Sequence, residues 1–463
     1  MPWDSDYDTD YGQVSNTVSS CVLSRPSHIQ LIFDSCEKGF PNQTSFEMCL
    51  QLFLIKQPIM SEYCFEEGVI HQQMKAVVFR ERLRNSGYRL RVSAVKTKQG
   101  VKKDKPTKVV SNSIKVGSDC SGLGTEIFAM DALGLGHRVV HVFGSEVDPI
   151  RRALFQRLHP GCKRVYVSCR IEDRQPANVP TVDLYVAGGD CAAWSPAGLR
   201  QGLDDRGGKD GKNRGKLMFD IIAYIETKKP KTFILEQVAG MVKGKFVETF
   251  SVILETLMSI KDNGRKVYHV DFKVLNTSET SGIPQNRARL YIVGVQKQLM
   301  NAKSFTWPHK VPMIKLSKFF QGNLGTPSLP TSATALRNIS STVDEIIAQG
   351  GNVNQMWVID ITPGEKWGVA YQLECTPTLT KTRANSQGFF LLKYMRMTTT
   401  DELKRLQGFP VSLPKFPASD SQLRQMLGNA MTLPVLARVV RMVLAVAGFI
   451  DTAEVPDILA PMY

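Results

Sequence analysis

Four residues in this chain are of types that carry covalent and acid–base chemistry, and each borders an apolar run that predicts a strand. Cys191 and Glu236 each follow such a run, while Arg287 and Arg289 lie at the opening of another. Ligands bind at strand ends in open α/β sheets, so a thiol, a carboxyl and two guanidiniums are predicted to converge at one edge. Each residue taken singly has a structural alternative, because free cysteines mostly pack and charged residues at strand ends are mostly solvated.

The elements that must position these residues are predicted from apolar runs separated by turns. From Ile114 onward strands alternate with helices, which is typical of an α/β fold with a largely parallel sheet. The predicted strands are 114–119, 139–144, 165–167, 183–187, 232–235, 267–275 and 288–295, and the predicted helices lie near 149–158, 215–227 and 246–261.

A glycine turn after the first strand predicts a nucleotide-type pocket. Asp119 is followed by Ser121, Gly122 and Gly124, small residues that let the backbone approach a ligand. Glu146 ends the next strand, where an acidic side chain can accept hydrogen bonds from ribose hydroxyls. The complete dinucleotide fingerprint is absent, which disfavours NAD and FAD and leaves other adenosine-bearing cofactors open.

Composition narrows the class of protein and of partner. The chain has 463 residues and a formal net charge of +15, which favours a polyanion such as nucleic acid over an anionic membrane, since no amphipathic basic helix stands out. No long apolar window or signal-like N-terminus occurs, so we expect an intracellular protein without a membrane partner. The nine cysteines include no C-x-x-C pair, which argues against a structural metal site and a disulfide framework.

The charge is unevenly distributed and suggests domain boundaries. Residues 1–73 carry ten acidic and three basic side chains and are predicted to be an acidic, partly disordered extension. Residues 74–112 form a basic segment that either contacts phosphates or serves as a solvated linker. Residues 113–296 and 390–449 are predicted to form the catalytic domain, with residues 297–389 as a small second domain of weak periodicity.

Taken in chain order, these stretches resemble the cytosine-5 DNA methyltransferases over roughly residues 114–448. The motifs that carry the resemblance are DCSGLGTE, GSEVDP, GGDCAAWSPAGLRQGLDDRG, LEQV, PQNRAR, RLQGFP and LGNAMTLP. The resemblance implies a doubly wound, Rossmann-like methyltransferase sheet, with 297–389 as a small irregular target-recognition domain. It also implies methyl transfer from S-adenosylmethionine to carbon 5 of cytosine in double-stranded DNA, with the target base flipped out of the duplex.

The resemblance assigns roles to the residues singled out above. Cys191 would supply the thiolate that adds to carbon 6 of the base, and Glu236 would hydrogen-bond ring N3 and the exocyclic amine. Arg289, together with Arg287, would hold the base oxygen and the catalytic loop. The implied cofactor-binding residues are Asp119, Ser121, Gly122, Gly124, Glu146 at the ribose, Asp173 in place of the family's adenine-binding Asp, and Asn429.

Three residues depart from the family pattern and keep alternatives open. Asp190 and Ala192 flank Cys191 where the family has Pro and Gln, and Gln237 replaces the Asn after the glutamate. A carboxylate close to the thiol would raise its pKa and reduce the thiolate fraction. The alternatives to an active DNA enzyme are a nucleic-acid-binding module with weak or no activity and an RNA cytosine-5 methyltransferase. The DNA substrate and the run KKDKPTK lead us to expect a nuclear location, and the sequence sets no oligomeric state.

Overall fold

The computed structural model describes residues 113–166, 171–189, 193–194, 202, 214–300, 304–321, 328–364, 368–413 and 418–459. The predicted extension 1–73, the basic segment 74–112 and the stretch Asp190 to Ala192, with Cys191 at its centre, lie outside the described residues.

Strands and helices alternate through the first half of the described chain. The strands are β1 (Ile114–Asp119), β2 (Val139–Ser145), β3 (Val165–Tyr166), β4 (Leu184–Gly188), β5 (Thr232–Val238), β6 (Lys261–Asp262), β7 (Arg265–Lys266), β8 (Tyr268–Asn276), β9 (Ala288–Gln296), β10 (Trp357–Ile359), β11 (Tyr371–Leu373), β12 (Phe390–Leu391) and β13 (Arg396–Met397). The α-helices are α1 (Thr125–Ala132), α2 (Pro149–Leu158), α3 (Leu217–Lys228), α4 (Val247–Ser259), α5 (Thr277–Ser281), α6 (Ala333–Ala348), α7 (Lys381–Asn385), α8 (Thr400–Leu406), α9 (Asp420–Asn429) and α10 (Leu433–Val446).

The larger of two compact units is built on a seven-stranded sheet in the order β3-β2-β1-β4-β5-β9-β8. The strands from β3 to β5 are parallel, and β9 runs antiparallel to both β5 and β8. The strand order reverses between β1 and β4, which is the position where α/β sheets open a crevice for ligands. The predicted doubly wound, Rossmann-like sheet is confirmed.

Both faces of this sheet are buried, because alternate residues of each strand point to opposite sides. In β4, Leu184 and Val186 pack in a core with α1 and α10, while Tyr185 and Ala187 pack in a second core with α3 and α4. The sheet is thus held between two helical layers, and only its strand ends are left to form a site.

The C-terminal segment contributes α8, α9 and α10 to the larger unit. A capping box between Thr399 and Glu402 begins α8. A new helix begins at Leu433 because Pro434 is tolerated in a first turn but not in a helix interior. In the described part of the chain no single helix has the length and hydrophobicity of a membrane span; α9 and α10, bent by 41°, pass such a test only as a pair.

The smaller unit comprises, among the described residues, 328–364, 368–374 and 389–397. It contains a four-stranded sheet in the order β11-β10-β12-β13 and the 16-residue helix α6. The sequence predicted an irregular second domain, and this unit has more regular structure than that. The apolar residues of α6 do follow helical spacing, as in Leu336, Ile339, Val343 and Ile346, but the Ser, Thr and Asn residues between them obscure that pattern.

Candidate active site

The turn between β1 and α1 forms one half of the site. The Ser121 amide donates to the carbonyl of Ser145 at 2.9 Å, and the Ser121 hydroxyl accepts from the Ser145 amide at 3.0 Å. Gly122 and Gly124 have φ angles of 52° and 72°, which side chains disfavour. A Cβ at Gly124 would lie 2.4 Å from the His159 ring. Both glycines are therefore required for the turn to follow its path.

Glu146 lies directly after β2 and faces the glycine turn. One carboxylate oxygen accepts from the Gly122 amide at 3.2 Å, and the other accepts from the Asp148 amide at 3.0 Å. Each carboxylate oxygen can accept a second hydrogen bond, so the oriented side chain keeps capacity for two vicinal hydroxyls. This geometry suits the ribose contact that the sequence predicted for Glu146.

The carboxylate of Asp119 is engaged by other residues of the protein. Its Oδ1 accepts from the Ser145 hydroxyl at 2.5 Å, and its Oδ2 accepts from Arg174 at 2.6 Å and from the Tyr185 phenol at 2.7 Å. The Asp119 side chain has no exposed surface. The sequence predicted a direct cofactor ligand here, whereas the observed bonds place the carboxylate beneath the turn.

Asp173 and Asn429 were also predicted to bind the cofactor. Asp173 ends a 3₁₀ turn, Ile171–Asp173, and its side chain is exposed. Asn429 is the last residue of α9 and is exposed as well. Both side chains are thus accessible to a ligand.

Glu236 and Arg289 form the other half of the site. Glu236 lies near the end of β5, and its Oε1 is 3.2 Å from Nε of Arg289 on β9. Burial raises the pKa of the Glu236 carboxyl, although the guanidiniums of Arg289 and Arg287 oppose that shift. The pair therefore combines a fixed positive charge with a carboxyl that holds its proton more strongly than a free glutamate.

Strand register places these two halves at one edge of the sheet. Asp119 pairs with Ala187 on β4, and the next β4 residue, Gly188, pairs with Glu236 on β5. Two strand spacings separate β1 from β5, a distance of about 10 Å. Because β4 lies between them, the chain that continues towards Cys191 leaves the sheet between the glycine turn and Glu236.

Gln237, the residue that departs from the family's Asn, bonds to the chain at the exit of β4. Its side-chain nitrogen donates to the carbonyl of Gly189 at 3.4 Å, and its side-chain oxygen accepts from the Val238 amide at 2.9 Å. The longer amide therefore still links β5 to the backbone two residues before Cys191.

Arg287 hydrogen-bonds to backbone carbonyls of distant segments. Its buried guanidinium donates to the carbonyls of Leu379 at 2.5 Å, Gly428 at 3.2 Å and Ala430 at 2.8 Å. These bonds give Arg287 a positioning role, and its contact with the base oxygen and the catalytic loop stays a prediction, because most of that loop lies outside the described residues. It joins the start of β9 to the C-terminal segment that carries Asn429.

Comparison with known proteins identifies the family. Residues 114–445 match the model of the C-5 cytosine-specific DNA methylases, well over half of the chain. The chain belongs to this family. It is 29% identical over 323 residues to the Type II methyltransferase M.HaeII of Haemophilus aegyptius, which covers 68% of this chain and 88% of the relative.

Two further comparisons set the extent of this likeness. The chain is 35% identical over 196 residues to the Type II methyltransferase M.NgoBV of Neisseria gonorrhoeae and spans 41% of the length of that relative. A candidate DNA modification methyltransferase encoded within an E. coli prophage has the same fold at 15% identity, with a TM-score of 0.50 over 72% of this chain and 98% of that one.

Membership of the methylase family implies S-adenosylmethionine as the cofactor. The residues at the carboxyl ends of β1 and β2 fit this molecule. Glu146 offers oriented acceptors for hydroxyls, and the glycine turn leaves the backbone at Gly122 open to a ligand, since a Cβ there would meet only one atom, at 3.9 Å. Among the described residues no group of His, Cys, Asp and Glu is arranged to hold a metal ion.

Sequence reasoning missed Arg174 and Tyr185, the two long side chains that bind Asp119. Tyr185 lies within the apolar run 183–187 that predicts a strand, and Arg174 lies in a short polar stretch without periodicity. The one available signal was Asp119 itself, because a carboxylate at the end of a buried strand requires donors.

Proposed function

We propose that this protein transfers a methyl group from S-adenosylmethionine to carbon 5 of cytosine in double-stranded DNA. The observation that carries the proposal is the pair formed by the buried Glu236 and the partly exposed Arg289. This pair lies beside β4, the strand that leads towards Cys191, and β4 separates it from the glycine turn. Membership of the methylase family supports the same reaction.

The reaction begins with a cytosine that has been flipped out of the duplex, because carbons 5 and 6 are inaccessible within the base stack. The Cys191 thiolate adds to carbon 6 and forms a carbon–sulfur bond, which turns carbon 5 into an enamine-like nucleophile. Carbon 5 would then take the methyl group from the sulfonium of S-adenosylmethionine, as the bond between that methyl group and sulfur breaks and the sulfur becomes a neutral thioether. Transfer of the carbon 5 proton to water and departure of the thiolate restore the ring.

Glu236 stabilises the base as charge develops during thiolate addition. Ring N3 of cytosine is an acceptor and the exocyclic amine is a donor, so a protonated carboxyl can satisfy both at once. The raised pKa of Glu236 favours that protonated form. Arg289 holds the carboxyl in place through its Nε and supplies positive charge beside the base oxygen.

S-adenosylmethionine supplies the electrophilic methyl group from its sulfonium. Glu146 would accept the ribose hydroxyls, and Ser121 and Gly122 would bring the backbone close to the cofactor. Asp173 would accept from the adenine amine, and Asn429 would contact the methionine end.

A methyl-transfer assay with labelled cofactor, run on duplex DNA and on tRNA, tests the proposal. Cys191→Ala is expected to abolish transfer, because it removes the thiolate that adds to carbon 6. Cys375→Ala is the matched control: burial raises the pKa of its thiol to about 11, so it is protonated and should be dispensable. Full activity of Cys191→Ala would overturn the nucleophile assignment.

The sequence around Cys191 favours one second candidate, a binding module with weak or no activity. In that case the parent protein binds cofactor and DNA without transfer, and Asp190→Pro with Ala192→Gln restores transfer. Methylation of tRNA but not of duplex DNA would identify an RNA enzyme instead. If DNA is the substrate, we also expect the protein to be located in the nucleus. Microscopy of a fluorescent fusion would test this location.

A further inference from the structure

A buried ion pair lies beneath the glycine turn and takes no direct part in the proposed reaction. Asp119 and Arg174 are 2.6 Å apart, with side-chain exposures of 0% and 6%. The Tyr185 phenol and the Ser145 hydroxyl complete the shell around the carboxylate. One carboxylate at the end of β1 thus binds groups from β2, from β4 and from the segment after β3.

Two of these partners are chain neighbours of residues proposed to contact the cofactor. Ser145 immediately precedes Glu146, the proposed ribose acceptor, and Arg174 immediately follows Asp173, the proposed adenine acceptor. Successive Cα atoms are about 3.8 Å apart, so fixing Ser145 and Arg174 closely constrains the backbone at both acceptors. Asp119 is therefore a common anchor for the two sides of the adenosine pocket.

The energetics of burial favour a positioning role over a purely stabilising one. Replacing a buried ion pair with apolar residues of similar volume is often neutral or stabilising, whereas removing one partner is costly. Neither strand residue that pairs with Asp119, Ser145 on β2 or Ala187 on β4, carries a charge, so the sheet itself contains no charged partner that would require a carboxylate here. Burial, together with the Asp119 charge, raises the pKa of Tyr185 well above 10, which keeps its phenol protonated as a donor.

We propose that the Asp119–Arg174 ion pair positions Glu146 and Asp173 relative to one another and so determines how the protein binds the adenosine end of its cofactor. This inference rests on the proposed function. Asp119 and Arg174 are positioning residues, acting through their neighbours and not by touching the cofactor.

The test measures the affinity of the full chain for S-adenosylmethionine by calorimetry, together with Tm and affinity for duplex DNA. The double variant Asp119→Leu with Arg174→Leu removes the pair without leaving a lone charge. We expect its Kd for S-adenosylmethionine to rise about 10-fold to 100-fold, as for other small misplacements in a site. Its Kd for DNA should stay close to the parent value, whereas its Tm should fall, because the buried Tyr185 phenol and Ser145 hydroxyl lose their acceptor.

Two milder variants keep the test decisive if the double variant does not fold. Arg174→Lys retains the positive charge but replaces the planar guanidinium with a single ammonium group. Tyr185→Phe removes one hydrogen bond to Asp119 and leaves the ion pair intact. Both should weaken cofactor binding less than the double variant does, and both should raise KM for the cofactor without raising KM for DNA. An unchanged cofactor Kd in whichever of these variants fold would overturn the inference.

The matched control is another largely buried ion pair of the same unit. Arg438 contacts Asp457 at 2.7 Å, away from the glycine turn. Asp457→Asn is expected to lower Tm and leave the cofactor Kd unchanged. If it weakens cofactor binding as much as the Asp119 and Arg174 variants do, general loosening explains the effect and the inference fails.

Measuring S-adenosylmethionine binding and methyl transfer separately distinguishes a failure of this inference from a failure of the proposed function. A parent protein that binds S-adenosylmethionine but methylates neither nucleic acid contradicts the proposed function, while the variants still decide the role of the pair. A parent protein that does not bind S-adenosylmethionine contradicts both.

Discussion

Glu236 owes its proposed role to its surroundings. It is a buried carboxyl whose Oε1 lies 3.2 Å from Nε of Arg289. Burial disfavours the charged form, and the guanidinium offsets only part of that effect. The same pair therefore keeps Glu236 in place and keeps it protonated over a wider pH range than a free glutamate.

This protonation predicts the pH dependence of the enzyme. If the acid form of Glu236 binds ring N3, kcat/KM falls as pH rises through the pKa of Glu236 in the folded protein. Glu236→Gln keeps a donor and an acceptor but cannot transfer a proton, so we expect a rate lower by about 10²-fold to 10⁴-fold and loss of that pH dependence. The measurement is kcat/KM against pH for both proteins; a variant with the parent profile would contradict the assignment.

The contribution of Glu236 to the free energy of unfolding should fall with rising pH, as kcat/KM does. The folded-state pKa of Glu236 is raised above the ordinary value of 4.5, so the folded protein binds more protons than the unfolded chain between those two pKa values. The free energy of unfolding contributed by Glu236 therefore falls as pH rises through this window. Glu236→Gln removes this slope, which urea unfolding at several pH values would detect.

At the scale of elements, α9 lies unusually close to the backbone before α7. A Cβ added at Gly428 would lie 2.5 Å from the carbonyl oxygen of Thr380 and 2.7 Å from the Lys381 amide nitrogen, and a backbone cannot yield as a flexible side chain can. Gly428 also supplies a carbonyl to Arg287. The glycine is needed for this contact and not for any special backbone angle.

Gly428→Ala is accordingly expected to lower the free energy of unfolding by about 1–3 kcal/mol, the usual cost of overpacking. It should also weaken cofactor binding by moving Asn429. Gly161→Ala is the control, because nothing lies within 4 Å of a Cβ there. Urea unfolding would compare the two; equal stability of both variants would show that the α9 contact can relax.

The sequence predicted most of these elements because their signals are local. The predicted strand 114–119 is β1 itself, and the glycine turn and Glu146 lie where the pattern placed them. The end of β5 was predicted at Leu235, but the strand continues to Val238 because Glu236 and Val238 pair with β9. A local apolar run does not indicate pairing with a strand that is distant in sequence. It also does not indicate the hydrogen-bond donors that surround Asp119.

At the scale of the whole molecule, Arg287 ties together parts of the larger unit that are far apart in sequence. Its acceptors Gly428 and Ala430 lie 141 and 143 residues further along the chain. Gln285 makes a similar link, since its side-chain nitrogen donates to the carbonyl of Leu406 at 2.8 Å. These bonds give Arg287 a role in holding the fold together.

Arg287→Ala should therefore destabilise the protein more than Arg289→Ala does. Removing Arg287 leaves buried carbonyls without their charged donor, at a cost of about 3–5 kcal/mol, whereas Arg289 is partly exposed and makes fewer such bonds. Conversely, Arg289→Ala should lose more activity per folded molecule. Urea unfolding and methyl transfer on the same samples would check both orders; a reversed order would contradict the division of roles.

The position of α10 has a consequence for how the polypeptide can be divided. All seven strands of the large sheet lie before residue 297, but one face of that sheet is covered by α10, which lies after residue 432. A cut between residues 328 and 364 would leave a first fragment with the whole sheet and an apolar face from which α10 is missing, and a second fragment with that helix. Each fragment alone would aggregate. Expressed together they should reassociate, so methyl transfer could be made to depend on bringing two separate chains into contact.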